Sequence, residues 1–432
     1  MKIRKQGDRT LLSLVSAVGE KYDLSPETVA RLLEDTFRSV FLKEYPDNII
    51  DVDVDLKKAK IEIWRHLRVV TDDYYNGEGN EDDETLIPVS KLASLPNTSK
   101  NPSSPKVGDT VFQEVDIESF DDKIANNIQF YFKKLTESEV SRSICQKWTP
   151  FHGKVVEGVI EEIIENRDDR TIKKIIVSLE APDKTIAKGV IFRSDLVWID
   201  GPNGTRIYEN LVLGNTYLFY VKEISEVNVH LPIFLSRTDS EITKHVMAKH
   251  ISEISEGKVE IKAIARIAGF KSKVLVHSND PNIDAVGCCI GPKGERLKVI
   301  SRELLNEKID VILWNEDPVQ NVINSFVTGK ILGYRLEDEN EITLVATLDN
   351  LLSCIGKRGS NTKLVYMLTG WKINLKTIQE AKDEGIDYVA IDDDKFTNSN
   401  KISDRIFKMH LKKNVDVLQK FHSNKSVDDD EG

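Results

Sequence analysis

The apolar positions switch repeatedly between helical and strand spacing, and the switches divide the chain. Leu11, Leu12, Leu14, Val15 and Val18 predict a first amphipathic helix. A second begins at Ser25-Pro26-Glu27, with Ser25 as N-cap and Pro26 at the first helical position, and its apolar face runs Val29, Leu32, Leu33, Phe37, Val40, Phe41. Strict alternation follows in residues 52–56 and again in 61–64, with Lys57-Lys58 near the turn, which reads as a β-hairpin. Val69-Val70 is read as a further strand. The acidic run after Thr71 and the Pro/Ser-rich stretch 96–105 read as solvated loops. From Phe120 to Trp148 few breakers interrupt a helix carrying Ile124, Ile128, Phe132 and Leu135, a linker whose stripe is expected to pack on the head.

Residues 153–238 are dominated by strand spacing. Five strands are expected, at 155–160, 172–179, 186–192, 216–224 and 231–235, with a short helical segment near Ser194 and a turn at Gly201-Pro202-Asn203-Gly204. That inventory suits an OB barrel, which presents strands and loops to oligonucleotides. Phe192, Phe219, Tyr220 and Phe234 could stack on bases, although strand aromatics are more often core.

Beyond Glu241 one phrase occurs twice. Cys289-Ile290-Gly291-Pro292-Lys293-Gly294 returns 65 residues later as Cys354-Ile355-Gly356-Lys357-Arg358-Gly359. Each copy leads into a helical stretch (Leu297, Ile300, Leu304; Leu364, Leu368) and then an apolar strand (Ile309, Val311, Leu313; Ile373, Leu375). Self-similarity of this kind means one supersecondary unit used twice. A single Gly-x-x-Gly is more often a helix C-cap with a loop. Two copies with matching flanks point elsewhere. Glycine lets the backbone lie flat against a ligand, and the following helix aims free N–H groups and its positive dipole end at the loop. With Lys293, Lys357 and Arg358 inside the loops, the site suits the backbone of a polyanion. This is the pattern of the KH fold, which clamps about four nucleotides of a single strand. The spacing of a nucleotide-triphosphate loop is missing.

The net charge of −11 argues against a nucleic-acid binder only as a sum, because the charges are segregated. Residues 71–84 hold seven acids and no Lys or Arg, whereas 356–376 hold five bases and no Asp or Glu. A basic partner at the front and a nucleic acid at the back fit that division. Four cysteines (Cys145, Cys288, Cys289, Cys354) without Cys-x-x-Cys spacing indicate neither zinc nor a disulfide framework, and no apolar run spans a bilayer. No metal, cofactor or catalytic constellation is expected, and the cytoplasm is the expected compartment.

The phrases Asn279–Gly291, Asn306–Trp314, Glu316-Asp317-Pro318, Ile355–Asn361 and Leu368–Ile373 together resemble the NusA family of bacterial transcription elongation and termination factors, and the resemblance extends over residues 1 to about 380. It implies a multidomain α+β chain: an N-terminal α/β head with a long linker helix, an S1-type OB β-barrel, and two tandem type II (bacterial-type) KH domains. The expected boundaries are 1–148, 149–239, 240–316 and 317–380, with an acidic, disordered tail over 381–432. The head would contact core RNA polymerase at the flap region near the RNA exit, and the barrel and KH units would hold single-stranded nascent RNA. The protein would act as a monomer, with other Nus-type factors and without a membrane, to modulate pausing, intrinsic termination and antitermination. The expected RNA-binding residues are Gly291, Pro292, Lys293, Gly294, Arg296 and Lys298 in the first clamp, and Gly356, Lys357, Arg358, Gly359, Asn361 and Lys363 in the second. The head departs most from the family, in its acidic loop and Pro/Ser-rich stretch. Two rivals stand beside this reading: an RNA-processing enzyme built on S1 and KH modules, and a ribosome-assembly factor without polymerase contact.

Overall fold

The computed structural model describes residues 7–391 apart from 45, 78–79, 81–82, 96–99, 118–119 and 339. They fall into two compact units, one within residues 7–149 and 225–232 and the other within 150–224 and 233–391.

The first unit opens with α1 (Gly7–Tyr22) and α2 (Pro26–Glu44), and Ser25 Oγ accepts from the Thr28 amide as the cap expected of it. Strands β1 (Ile50–Asp55) and β2 (Lys60–Val70) form the hairpin. The Asp55 carboxylate closes its turn by accepting from the amides of Lys57 and Lys58 at 2.9 and 3.0 Å. Val69-Val70 is the end of β2 rather than a separate strand. Thr71 caps a one-turn helix, α3 (Asp72–Tyr75), where a plain loop was expected. The alternation in 86–88 and 110–114 is too short to announce β3 (Leu86–Pro88) and β4 (Thr110–Glu114), which pair with β2 in parallel and antiparallel fashion. Helix α4 (Asp122–Trp148) starts at Asp121, whose side chain accepts from the Ile124 amide. Its Ile128 and Phe132 pack on the α1–α2–sheet core, so the stripe is head core as expected.

In the second unit, β5 (Val155–Glu165), β6 (Ile172–Glu180) and β7 (Ile186–Phe192) lead to a hairpin absent from the sequence reading, β8 (Trp198–Asp200) with β9 (Arg206–Tyr208). Strands β10 (Thr216–Ile224) and β11 (Ile233–Ser236) then close a five-stranded barrel in the order β10-β11-β7-β6-β5. The expected OB-like barrel is present.

Helices α5 (Ser240–His250) and α6 (Ser252–Ser255) precede β12 (Glu260–Ile267), β13 (Lys271–His277), α7 (Ala285–Ile290), α8 (Glu295–Glu303) and β14 (Lys308–Leu313). The order then repeats. Helix α9 (Pro318–Asn324) is followed by β15 (Ile331–Asp338), β16 (Glu341–Ala346), α10 (Leu348–Ile355), α11 (Ser360–Thr369) and β17 (Lys372–Thr377). In both units the first two strands pair antiparallel and the last joins in parallel, Val274 opposite Val311 and Leu344 opposite Leu375. Residues 381–391, expected in the tail, instead continue α12 (Ile378–Asp383), capped by Thr377, and supply β18 (Val389–Ala390) on the free edge of β15. Gly333 makes room for this addition, since a Cβ there would lie 2.3 Å from the Tyr388 ring. The acidic run at 392–394 and the end of the chain lie outside the described residues.

The three modules of this unit are joined by shared cores and buried charges. Val155, Leu218 and Tyr220 of the barrel pack against the first KH core, and Leu364 and Leu368 of α11 pack with Ala265, Leu275 and Ile312 of the first KH sheet. At the barrel seam Glu209 pairs with Arg237 at 2.8 Å, and the Arg237 and Asp239 carbonyls accept from Arg266 at 3.0 and 2.7 Å. Arg266 in turn pairs at 3.1 Å with the fully buried Glu307. At the KH–KH seam the fully buried Lys273 donates to Asp310 at 2.7 Å and to the Ser325 carbonyl at 2.6 Å. Burial pushes the Lys273 ammonium below its ordinary pKa despite the Asp310 charge beside it.

Removing one partner of a buried pair strands the other charge, at a cost of about 3–5 kcal/mol. Asp310→Ala is therefore expected to lower urea stability by about that much, since it orphans Lys273. Lys273→Met, which leaves Asp310 its 2.6 Å pair with Lys271, should cost clearly less. Equal midpoints for the two variants would contradict this.

Candidate nucleic-acid interface

The two glycine loops share one backbone. Gly291 and Gly356 have φ of 71° and 70°, Lys293 and Arg358 both 54°, and Gly294 and Gly359 73° and 72°. Each first glycine is packed: a Cβ at Gly291 would lie 2.7 Å from Arg296 Cγ, and one at Gly356 would lie 2.8 Å from Asn361 Cβ. Each second glycine is open, with nothing within 4 Å of such a Cβ, and it immediately precedes α8 or α11. The first glycine thus fits the loop to its own helix. The second leaves bare backbone and a helix start facing outward, where an anion can approach the amides.

The preceding helices aim the loops. Asp284 caps α7 and Thr347 caps α10, and both helices end at the first glycine of their loop. Cys289 and Cys354 lie fully buried beneath the two loops. Gly329 packs against the second of them, since a Cβ there would come within 2.4 Å of Cys354 Sγ.

The predicted RNA-binding side chains divide into two sets. Pro292, Lys293, Lys298, Lys357, Arg358 and Lys363 are exposed. Among the described residues Lys293 and Lys363 have no ion-pair partner, and Lys298 has only Glu295 at 3.7 Å. Arg296 and Asn361 are turned inward. Arg296 pairs with Glu253 at 3.1 Å and donates to the Cys288 carbonyl at 2.7 Å. Asn361 is buried and donates to the Ser353 and Cys354 carbonyls at 3.3 and 3.1 Å. These two occupy equivalent places, the second residue of the helix in each case, and tie off carbonyls of the preceding helix. Their work is to hold the loop.

Of the barrel aromatics, Phe219 is fully buried in the barrel core and Tyr220 packs on the first KH core. Phe192 and Phe234 form a stacked pair, ring centroids 6.1 Å apart, with Phe192 39% exposed. The sequence reading missed the β8–β9 hairpin, where Arg206 lies 4.5 Å over the Trp198 ring and Arg193 4.7 Å over Tyr208. Its signal was available: Trp198-Ile199-Asp200 and Arg206-Ile207-Tyr208 flank the turn already read at 201–204. Asp200, on this hairpin, accepts from Lys357 and Arg358 of the second loop, each at 2.8 Å. Both cations, Lys357 first, hold the Asp200 carboxyl below the usual carboxylate range.

Among the described residues no group of three or more His, Cys, Asp or Glu is placed to hold a metal ion, and no helix is long and apolar enough to cross a membrane.

Burial pushes the Cys289 thiol up to about 12 and the Cys354 thiol to about 11. Both should resist alkylation in the native protein at neutral pH and react at once in urea. Their folded pKa values lie above that of an unfolded cysteine, about 8.5. The stability they contribute is whole below that pH and is lost as pH rises toward about 11 and 12. Rapid modification of either thiol in folded protein would contradict the burial.

Family models match the head and both KH units. The NusA N-terminal domain family matches residues 10–140, the NusA-like first KH domain 237–314, and the NusA-like second KH domain 318–383. The transcription termination/antitermination protein NusA of Mycoplasma pneumoniae is 28% identical over 391 residues, covering 88% of this chain and 67% of its own. Its counterpart from Bacillus subtilis is 40% identical over 168 residues, 39% of this chain and 45% of its own. With a NusA-type head, an OB-like barrel and two NusA-type KH units in that order, the chain belongs to the NusA family.

Proposed function

We propose that this protein is an RNA-binding transcription elongation factor that modulates pausing, intrinsic termination and antitermination without catalysing a reaction. Its relatives are named transcription termination/antitermination proteins, which supports the reading. The observation that carries it is the pair of matched loops, each with an open glycine at a helix start and exposed cations beside it. Single-stranded nascent RNA is held through its phosphates by Gly294, Lys293 and Lys298 at the first loop, and by Gly359, Lys357, Arg358 and Lys363 at the second. Pro292, Gly291 and Gly356 shape the loops, and Arg296 and Asn361 keep them in place. The head contacts core RNA polymerase at the flap near the RNA exit, in company with other Nus-type factors. The factor acts as a cytoplasmic monomer. The domain limits that serve this reading are those expected from the sequence, with the second KH unit extended to residue 391 by its edge strand.

Replacing Gly294 and Gly359 together with Asp sets a carboxylate where phosphate must approach, yet meets nothing within 4 Å. RNA affinity should fall at least tenfold, while the left-handed backbone at both positions (φ of 73° and 72°) lowers the thermal melt without unfolding the protein. Unchanged affinity in the folded variant would defeat the clamp. Lys357→Ala with Arg358→Ala should reduce the salt slope of binding by roughly 0.7 per lost phosphate contact, and an unaltered slope would place the contacts elsewhere. Co-purification with core RNA polymerase separates this function from ribosome assembly, and incubation of labelled RNA with Mg²⁺ separates it from RNA processing. Failure to bind polymerase, or cleavage of the RNA, would overturn the assignment.

A further inference from the structure

The two loops share a backbone but not an electrostatic setting. At the first, Lys293 is exposed and, among the described residues, has no ion-pair partner. At the second, both inner cations already hold an anion: Asp200 Oδ2 accepts from Lys357 Nζ and Asp200 Oδ1 from Arg358, each at 2.8 Å. One carboxylate spanning two cations with its two oxygens is the geometry those cations would offer to a bridging phosphate.

Asp200 is not there by the chance drift of a loop. Its hairpin closes tightly, with the Gly201 amide donating to the Thr205 carbonyl at 2.8 Å. Its base is tied by the Val197 amide to Glu209 at 2.9 Å, and Glu209 is itself pinned by Arg237. The turn between β12 and β13 presses on the hairpin so closely that a Cβ at Gly269 would lie 2.8 Å from the Trp198 carbonyl oxygen. The barrel thus delivers a carboxylate to the second KH loop from a braced support. The pairs themselves are exposed, Lys357 at 60% and Arg358 at 66% of the side chain, so each is weak and open to exchange.

We propose that Asp200 is a specificity-determining residue of the second clamp, occupying the phosphate position of the Gly356–Gly359 loop so that only a ligand able to displace it engages there. The inference rests on the clamp reading above. The first loop takes RNA phosphate directly. The second takes it by exchange, so single phosphates and short fragments are rejected, while a strand already held at the first loop presents its next phosphates at high local concentration. The hairpin that carries Asp200 also carries Trp198 and Tyr208, whose rings lie under Arg206 and Arg193.

The test is fluorescence anisotropy at one salt concentration on the full chain, with a labelled single-stranded RNA about twelve nucleotides long, room for two sites of about four. Asp200→Asn should tighten binding about three- to tenfold, the range set by two exposed ion pairs. In the Lys357→Ala/Arg358→Ala background the same change should give no gain. Asp200→Glu, which keeps a carboxylate, should stay near wild type. Asp168→Asn, an exposed acid on the β5–β6 turn, measures the effect of charge alone and should give less than twofold. No gain from Asp200→Asn, or a gain that persists without Lys357 and Arg358 or is matched by Asp168→Asn, overturns the proposal. If the Lys357/Arg358 variant weakens binding but Asp200→Asn does nothing, the exchange role falls and the clamp stands. If that variant binds like wild type, the clamp falls and takes the exchange role with it.

Discussion

The architecture of the second unit depends on charges buried where its modules meet. Glu307 is fully buried and takes bonds from Arg266, the Gly269 amide and Ser272, while Arg266 reaches back to the chain leaving the barrel. Lys273 performs the corresponding task at the KH–KH seam, spanning Asp310 and the end of α9. Such groups are poor sources of net stability, because desolvation offsets most of their attraction. What they impose is geometry. A carboxylate with three donors around it, or an ammonium between a carboxylate and a carbonyl, is satisfied in one arrangement of the flanking elements and stranded in others. Apolar contacts such as Leu364 against Leu275 supply the burial, and they tolerate sliding. The charges do not.

This matters because a Gly-x-x-Gly loop is a small site. Its exposed lysines and arginines give weak, salt-sensitive contacts, and one loop alone holds few nucleotides. Two loops on a common support convert the second contact into an intramolecular event, which raises avidity without any new chemistry. The same support carries the β8–β9 hairpin to the second loop. The seams therefore link three things: the position of the clamps, their combined grip, and the carboxylate that competes for one of them.

Much of this was legible in the residues, and the exceptions share a cause. The barrel strands, the paired KH order and both loops announce themselves through period and repetition, which local spacing encodes well. The long α4 was readable because nothing interrupts it. A three-residue strand such as β3 is too short for a period to show, β8 and β9 are signalled only by the turn they flank, and β18 lies beyond the last repeat. Within the site, Arg296 and Asn361 look like ligand residues in sequence because they are polar and near a glycine loop. Only the fold shows them bonded inward to the carbonyls of the helix before. Lys273 and Arg266 were invisible for the opposite reason: a charged residue in a strand reads as solvent-facing, and its burial is decided by partners distant in sequence, Asp310 and the Ser325 carbonyl for Lys273, Glu307 and the Arg237 and Asp239 carbonyls for Arg266. Asp200 and Lys357 are 157 positions apart, a separation no local pattern reports.

Amide hydrogen exchange on the intact chain, with and without a saturating single-stranded RNA, bears most directly on whether two matched loops grip one strand. The expected result is slowed exchange in both 291–296 and 356–361, with the buried strands of the two sheets unchanged. Bound RNA that leaves both loops exchanging as in the free protein would contradict it.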